Sequence, residues 1–393
     1  MTIKMMRAID RFAGMPLCWL AGAWNRLPAG RKPGAVSGIQ TVLIIKFFGL
    51  GSVLLSTPVL AQLLDAFPRA RVIYLTFSSN RELLEKTGLP IEIITVSPAS
   101  AVAFAATTVS AIRRLRNASI DVVFDLEFFS KFSTLISGLC GAPVRIGFDL
   151  PTRWRRSNLT HPVFLDHSLH VSGLFMRQLK AIGLDAPATL NIIGPKPSPR
   201  EKAAMEQKLG LAGDTSEVIS ININAGSTSL ERRWRPHRFV EVAINLLREN
   251  SSRKIYFIGS SDEHGYVDGA LRSAGDRARA LRNCCGALSL GELVALLDRS
   301  SFLLTNDSGP MHIAAAAGIP VVALFGPETP AFYGPGGRSR ICYKATTCSP
   351  CLNIYNAKQF VCPYNTRCME EISTGEVLEA IDALASDVRV HDS

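Results

Sequence analysis

The chain has 393 residues, 47% of them hydrophobic and 19% charged, which excludes a disordered protein and suits two α/β domains better than one. Its 43 Lys and Arg against 33 Asp and Glu leave a formal charge of +10, a balance that favours phosphorylated substrates or anionic lipid as partners. No RNP, zinc-finger or homeodomain-like pattern occurs, so nucleic acid is not an expected partner.

Met1 to Leu27 sets Lys4, Arg7, Arg11 and Arg26 around a mostly apolar run, Phe12 to Trp24, which Pro16 interrupts and which is too short to span a bilayer. Three readings stand: a basic, amphipathic segment on the inner membrane surface, a helix docked on the protein, or a signal peptide with Ala21-Gly22-Ala23 as its cleavage site. Gly30 to Gly38 reads as a linker, so residues 1–40 form an N-terminal segment.

Thr41 to Phe47 is a buried strand running into a Gly-rich turn, Phe48-Gly49-Leu50-Gly51-Ser52-Val53, and a helix from about Val53 to Ala66. Pro58 either kinks that helix or marks its true first turn. Arg71 to Leu75 is the next strand. A Gly-x-Gly turn after a strand suggests a dinucleotide site. Leu54, however, holds the third Gly position, and no acid for a ribose follows Leu75-Thr76-Phe77.

Val122 to Leu126 is a strand, followed by Glu127 to Lys131 and a helix through about Leu139. Asp125 and Glu127 therefore sit at a strand's C-terminal end, where ligands gather in open α/β sheets; the plain alternative is a surface or first-turn carboxylate. Val144 to Phe148 is a short strand. Arg153-Trp154-Arg155-Arg156 has no apolar periodicity and reads as a basic loop, either solvated or contacting an acidic acceptor or lipid headgroups. His167 to Leu179 is helical. Pro187, Pro195, Pro197 and Pro199 suit an interdomain crossing. The first domain thus covers 41–190, the crossing 191–215 and the second domain 216–393.

A helix from about Glu201 to Leu209 precedes the strand Val218 to Ile223, then Asn224-Ala225-Gly226-Ser227, the basic run Arg232-Arg233-Trp234-Arg235-Pro236 and a helix from about His237 to Glu249. Gly226 and Ser227 can face a phosphate, and Arg232 or Arg233 can neutralise it; a solvated basic turn is the alternative. Trp234 suits packing better than base stacking. Lys254 to Ile258 is a strand, and Gly286 to Leu297 is a segment with Glu292 that ends in a helix.

Thr305 to Pro327 reads as strand, turn, helix, turn, strand: a βαβ unit, hence a parallel sheet. Asp307, Ser308 and Gly309 are turn and N-cap residues, Pro310 fits the first helical turn, and Gly318 fits the C′ position. A helix N-terminus suits a phosphate, Gly309 allows close backbone approach, and His312 lies one turn in. An ordinary capped helix with a structural His is the competing reading.

Nine cysteines, five of them between Cys342 and Cys368, argue for a local site rather than a secreted disulfide framework. Cys348 and Cys351 have C-x-x-C spacing, and Cys362 and Cys368 would close an all-thiolate structural zinc site; disulfides and free thiols are the alternatives. Four thiolates leave no open position for catalysis. A final helix runs from about Thr374 to Leu384.

The turn Asp307-Ser308-Gly309-Pro310-x-His312 resembles the D-S-G-P-x-H signature of glycosyltransferase family 9, the lipopolysaccharide heptosyltransferases. The resemblance extends over Thr41 to Ala385. It includes the Gly49–Gly51 loop, the R-x-G strand at Arg145, the basic run before Pro236 (with Arg235 as one extra residue), the G-x-x-x-x-x-E-L segment at Glu292, Gly326-Pro327-Glu328 and the Cys cluster.

It implies a GT-B fold: two Rossmann-like domains with parallel sheets facing a central cleft. The Asp307–His312 turn, with Arg232, would hold the diphosphate of a nucleotide-sugar donor, the sugar passing with inversion to a glycolipid or saccharide acceptor at the cytoplasmic membrane face. No divalent metal is needed in such a scheme, because the protein supplies the positive charge. Many members carry Asp directly after the second Gly as the proposed base. Here that residue is Ser52, and a hydroxyl without a partner is not a useful base at neutral pH. Glu127 is the leading replacement. Loss of activity, leaving a binding or scaffold protein, and a nucleotide-sugar hydrolase or epimerase are the rival readings.

Overall fold

The computed structural model describes residues 10, 14–24, 38–149, 155–185, 191–226, 229–272, 274–353, 356 and 361–391. Arg153, Ser227, Lys4, Arg7, Arg11, Arg26 and nearly all of the linker at 30–38 lie outside them. The chain divides into two compact units, Met1–Ile192 and Ile193–Ser393.

The first unit opens with helix α1 (Gly14–Trp24). Its sheet contains β1 (Thr41–Ile45), β2 (Arg71–Phe77), β3 (Glu92–Val96), β4 (Val122–Asp125), β5 (Val144–Asp149) and β6 (His161–Phe164), in the order β3-β2-β1-β4-β5-β6. Every pairing is parallel. All five residues of β1 are buried, as expected of an apolar strand covered on both faces. Helices α2 (Thr57–Ala66), α3 (Ala101–Asn117) and α4 (Lys131–Leu139) flank the strands. Leu43, Ile45, Ile73, Leu75, Val123 and Ile136 lie in one apolar core. The single helix expected over Val53–Ala66 is two, Leu50–Leu54 and α2. Pro58 sits in the first turn of α2, where a missing N–H interrupts no helical hydrogen bond.

The second unit carries helix α5 (Pro199–Leu209) and six strands: β7 (Val218–Asn222), β8 (Lys254–Phe257), β9 (Leu281–Asn283), β10 (Phe302–Asn306), β11 (Val321–Phe325) and β12 (Ser339–Tyr343). Their order is β12-β11-β10-β7-β8-β9, again all parallel. Helices α6 (Pro236–Glu249), α7 (Leu290–Arg299), α8 (Gly309–Ala316) and α9 (Thr374–His391) complete it. Trp234 is fully buried in this core, its ring edge-on to Phe239 at 5.0 Å and its indole N–H donating to the Ile372 carbonyl at 3.0 Å.

Counted from its own first strand, each sheet has the order 3-2-1-4-5-6, the doubly wound Rossmann arrangement. The strand order reverses between β1 and β4 in one unit and between β7 and β10 in the other. Ligands of such sheets bind beyond the C-terminal ends of those strands.

Candidate active site

In the second unit the switch point brings Asn222 of β7 beside Thr305 of β10. Asn222 Nδ2 donates to Thr305 Oγ1 at 3.1 Å and to Ser308 Oγ at 2.8 Å. Ser308 is the N-cap of α8, yet its hydroxyl makes no capping bond, being 3.0 Å from Thr305 Oγ1 instead. The N-cap side chain thus supplies no acceptor to the first-turn N–H groups, at the end where the helix dipole is positive. Pro310 occupies that first turn, and His312, buried, lies on it. At the far end Gly318, with φ of 80°, donates its N–H to the Ala315 carbonyl while Ile319 donates to Ala314, a Schellman closure.

Arg232 reaches the same turn from within the protein. Nη1 donates to the Asp307 carbonyl at 2.9 Å and to its Oδ2 at 3.0 Å, and Nη2 donates to the Ala225 carbonyl at 2.5 Å. Both side chains are buried, so each charge needs the other. Arg232 therefore joins the β7 loop to the α8 turn, a use the sequence reading, which aims it at a phosphate, does not foresee. Asn306 adds a second tie, accepting from the Trp234 N–H at 3.0 Å and donating to the Ile223 carbonyl at 2.9 Å. In that loop Gly226 has φ of 68°, with open space where a Cβ would stand. Glu292, the acid of the G-x-x-x-x-x-E-L segment and a candidate for donor binding, serves the N-terminus of α7. Its Oε2 accepts from the Ser289 N–H at 2.8 Å and from Lys208 Nζ at 2.7 Å, and this Lys208 bond foremost holds the carboxyl below its ordinary range.

In the first unit the switch point joins the end of β1 to Asp125 and Glu127. Glu127 Oε1 accepts from Lys46 Nζ at 2.9 Å and from the Phe47 and Phe48 N–H groups at 2.7 and 2.9 Å. Lys46 and Glu127 are both buried. No hydrogen bond reaches Glu127 Oε2 among the described residues. The loop so anchored continues into Gly49, whose φ of 84° suits glycine, and Gly51. Ser52 follows in the short helix, its hydroxyl 3.3 Å from where a Gly49 Cβ would lie.

Arg155, placed by the sequence on a solvent-facing basic loop, is instead fully buried. Nη2 pairs with Asp125 Oδ2 at 2.5 Å, Nε donates to Thr134 Oγ1 at 2.7 Å, and Nη1 donates to the Glu127 carbonyl. Ser133 and Thr134 hydroxyls also donate to Asp125 Oδ2, at 2.9 and 3.1 Å. Burial pushes the Asp125 carboxyl up against the pull of Arg155. Asp125 is buried, and a buried carboxylate needs the counter-charge that Arg155 provides. Arg156 is 72% exposed and pairs with Asp149. Lys46, Asn222 and Asn306 were not legible as site residues: polar residues at strand ends are common, and only the topology shows that these strands are neighbours.

Cys348, Cys351 and Cys362 are partly buried, Cys368 is buried, and all are free thiols. Burial, then the neighbouring Cys351, Cys348 and Cys362, pushes the Cys368 thiol up to about 11. Among the described residues, no three or more His, Cys, Asp or Glu side chains are arranged to hold a metal.

Comparison with known proteins places these features. The model of glycosyltransferase family 9 (heptosyltransferase) matches residues 108–361. Lipopolysaccharide heptosyltransferase 2 of Salmonella typhimurium is 34% identical over 105 residues, a stretch covering 26% of this chain and 30% of that protein. Lipopolysaccharide heptosyltransferase 3 of Escherichia coli is 25% identical over 294 residues, covering 72% of this chain and 82% of that protein. The structure of E. coli ADP-heptose LPS heptosyltransferase II superposes with a TM-score of 0.70 at 23% identity, covering 89% of this chain and 100% of that one. That likeness shows the GT-B fold. With the family model matching well over half of its length, and with both switch points built as described, the chain belongs to glycosyltransferase family 9.

Proposed function

We propose that the chain is an inverting glycosyltransferase that moves a heptose or related sugar from a nucleotide diphosphate donor of the ADP-heptose type to a lipopolysaccharide-type glycolipid or saccharide acceptor. The observation that carries this reading is the N-terminus of α8. Its N-cap hydroxyl is drawn into the Asn222–Thr305 network, so the first-turn N–H groups and the positive dipole end are offered to a diphosphate at the sheet's switch point. Family membership and the names of the relatives support the donor and acceptor classes.

In this scheme α8, Gly226 and His312 receive the leaving diphosphate, and Arg232 with Asp307 fixes the turn that presents them. Fixed dipoles aimed at a developing charge stabilise it without reorganisation. Glu127 is the proposed base. Oε1 holds the carboxylate in place, and Oε2 is left to take the acceptor proton. No metal enters the chemistry. The thiol group of Cys348, Cys351, Cys362 and Cys368 is proposed to take a structural zinc on the strength of its C-x-x-C spacing and the similar cluster that the family resemblance implies. The enzyme would work in the cytoplasm, at the inner membrane face where a glycolipid acceptor is presented.

The test is thermal unfolding with ADP and a panel of other nucleoside diphosphates. At a hundredfold excess over Kd a ligand stabilises by about 2.7 kcal/mol. One nucleotide should raise the Tm of the wild type and lose most of that effect in His312→Ala. No shift with any of them in a folded sample contradicts the donor site.

A further inference from the structure

We infer that the outer face of α1 is a lipid-docking surface that seats this enzyme on an anionic bilayer. This deepens the proposed function by naming the element that meets the acceptor's membrane, and it rests on that reading for the choice of partner. The eleven residues of α1, GMPLCWLAGAW, include no charged side chain. At about 100° per residue they divide into two faces. Gly14, Cys18, Ala21 and Gly22 form one, and all are buried against α4 and the 156–158 turn. The approach is close: a Cβ on Gly14 would lie 2.9 Å from Lys131 Cβ, and one on Gly22 2.8 Å from Ser157 Cβ. Asn158 Nδ2 donates to the Cys18 carbonyl at 2.8 Å, which fixes the helix in place. Pro16, Leu17, Trp19 and Leu20 form the other face and point outward, with Leu17 43%, Trp19 61% and Leu20 56% exposed.

Among its described side chains the helix thus turns the small residues to the protein and the large apolar ones to solvent, the reverse of a surface helix packed for water. Eleven residues reach only about 16 Å, about half the bilayer core, so α1 can lie on a membrane but not cross it.

Charge selects the bilayer over an apolar protein partner. Residues 1–40 carry Lys4, Arg7, Arg11, Arg26, Arg31 and Lys32 against one acid, Asp10. Asp10 is turned inward, its Oδ1 accepting the Phe132 N–H at 2.8 Å. The exposed Arg156 stands on the turn against which α1 packs. An uncharged apolar face, a Trp suited to the headgroup level, and a flanking excess of cations are the ingredients of interfacial binding to anionic lipid.

The test uses the full-length protein and vesicles of phosphatidylglycerol with phosphatidylethanolamine, against vesicles of phosphatidylcholine. The wild type should co-sediment with the anionic vesicles, release with salt, and show blue-shifted tryptophan emission. The variant Leu17→Ser/Trp19→Ser/Leu20→Ser should lose binding by at least about tenfold while keeping wild-type Tm and the same ADP-dependent stabilisation. Equal sedimentation of variant and wild type, or a vesicle-free dimer that the variant dissolves, overturns the proposal. Loss of nucleotide stabilisation in the wild type would instead count against the function reading and leave vesicle binding to be scored separately.

Discussion

Glu127 and Lys46 set the sharpest test at the scale of single residues. One carboxylate oxygen holds the β1 loop through three donors while the other takes no hydrogen bond among the described residues, so positioning and chemistry meet in one side chain. Glu127→Gln keeps an acceptor for the Phe47 and Phe48 N–H groups but removes the base. If Oε2 takes the acceptor proton, kcat falls by about 100-fold or more while the ADP-dependent stabilisation is kept. A loss of Tm with kcat unchanged would leave Glu127 a structural residue only. Lys46→Met strands a buried carboxylate and should destabilise the first unit by about 3–5 kcal/mol, read by denaturant unfolding. A loss below about 1 kcal/mol would mean that the two amide donors suffice. Gly226→Ala places a Cβ on a φ of 68°, and should cost about 1 kcal/mol or more although the space around it is open.

Helices and strands show where sequence pattern suffices and where it does not. The βαβ unit around α8 was legible because an apolar run, an N-cap, a Pro in the first turn and a C′ glycine all agree. A parallel sheet follows from it, whereas the Rossmann-like winding of both domains is what the family resemblance implies. β3, β6, β9, β12 and α3 were not read. β6 has its residues largely exposed and β9 spans three residues, so neither carries the continuous apolar run of a buried strand. Hydrogen-bond partners across the sheet were out of reach too, which is why Arg155 and Arg232 read as solvent or ligand contacts when each neutralises a buried Asp. At α7, Ser289 and Glu292 form a capping box with Lys208 paired to the acid. Ser289→Ala should cost about 1 kcal/mol. Since the Glu292 carboxyl is held below its ordinary range, its contribution is present above the unfolded carboxylate pKa and is lost as pH falls through the lower folded value. Glu292→Gln should flatten that acid limb of stability in urea titrations at stepped pH. An unchanged limb would show that Lys208 contributes nothing there.

For the molecule as a whole, two sheets of the same winding place two chemically different switch points in one chain: a helix N-terminus suited to a diphosphate in one unit, an anchored carboxylate in the other. The Cys cluster lies in the second unit, where a structural zinc is the proposed occupant. Elemental analysis of protein purified without chelator should find one zinc per chain, absent from Cys348→Ser/Cys351→Ser; a metal-free wild type with all four thiols titratable contradicts that proposal. The proposed reaction is transfer of a sugar from a nucleotide diphosphate donor. Release of ADP from ADP-heptose, followed with and without a heptose-acceptor core glycolipid, tests it most directly. Release should depend on acceptor, with the sugar appearing on the glycolipid in inverted configuration. Donor consumption independent of acceptor, or none by a folded protein that binds ADP, would contradict it.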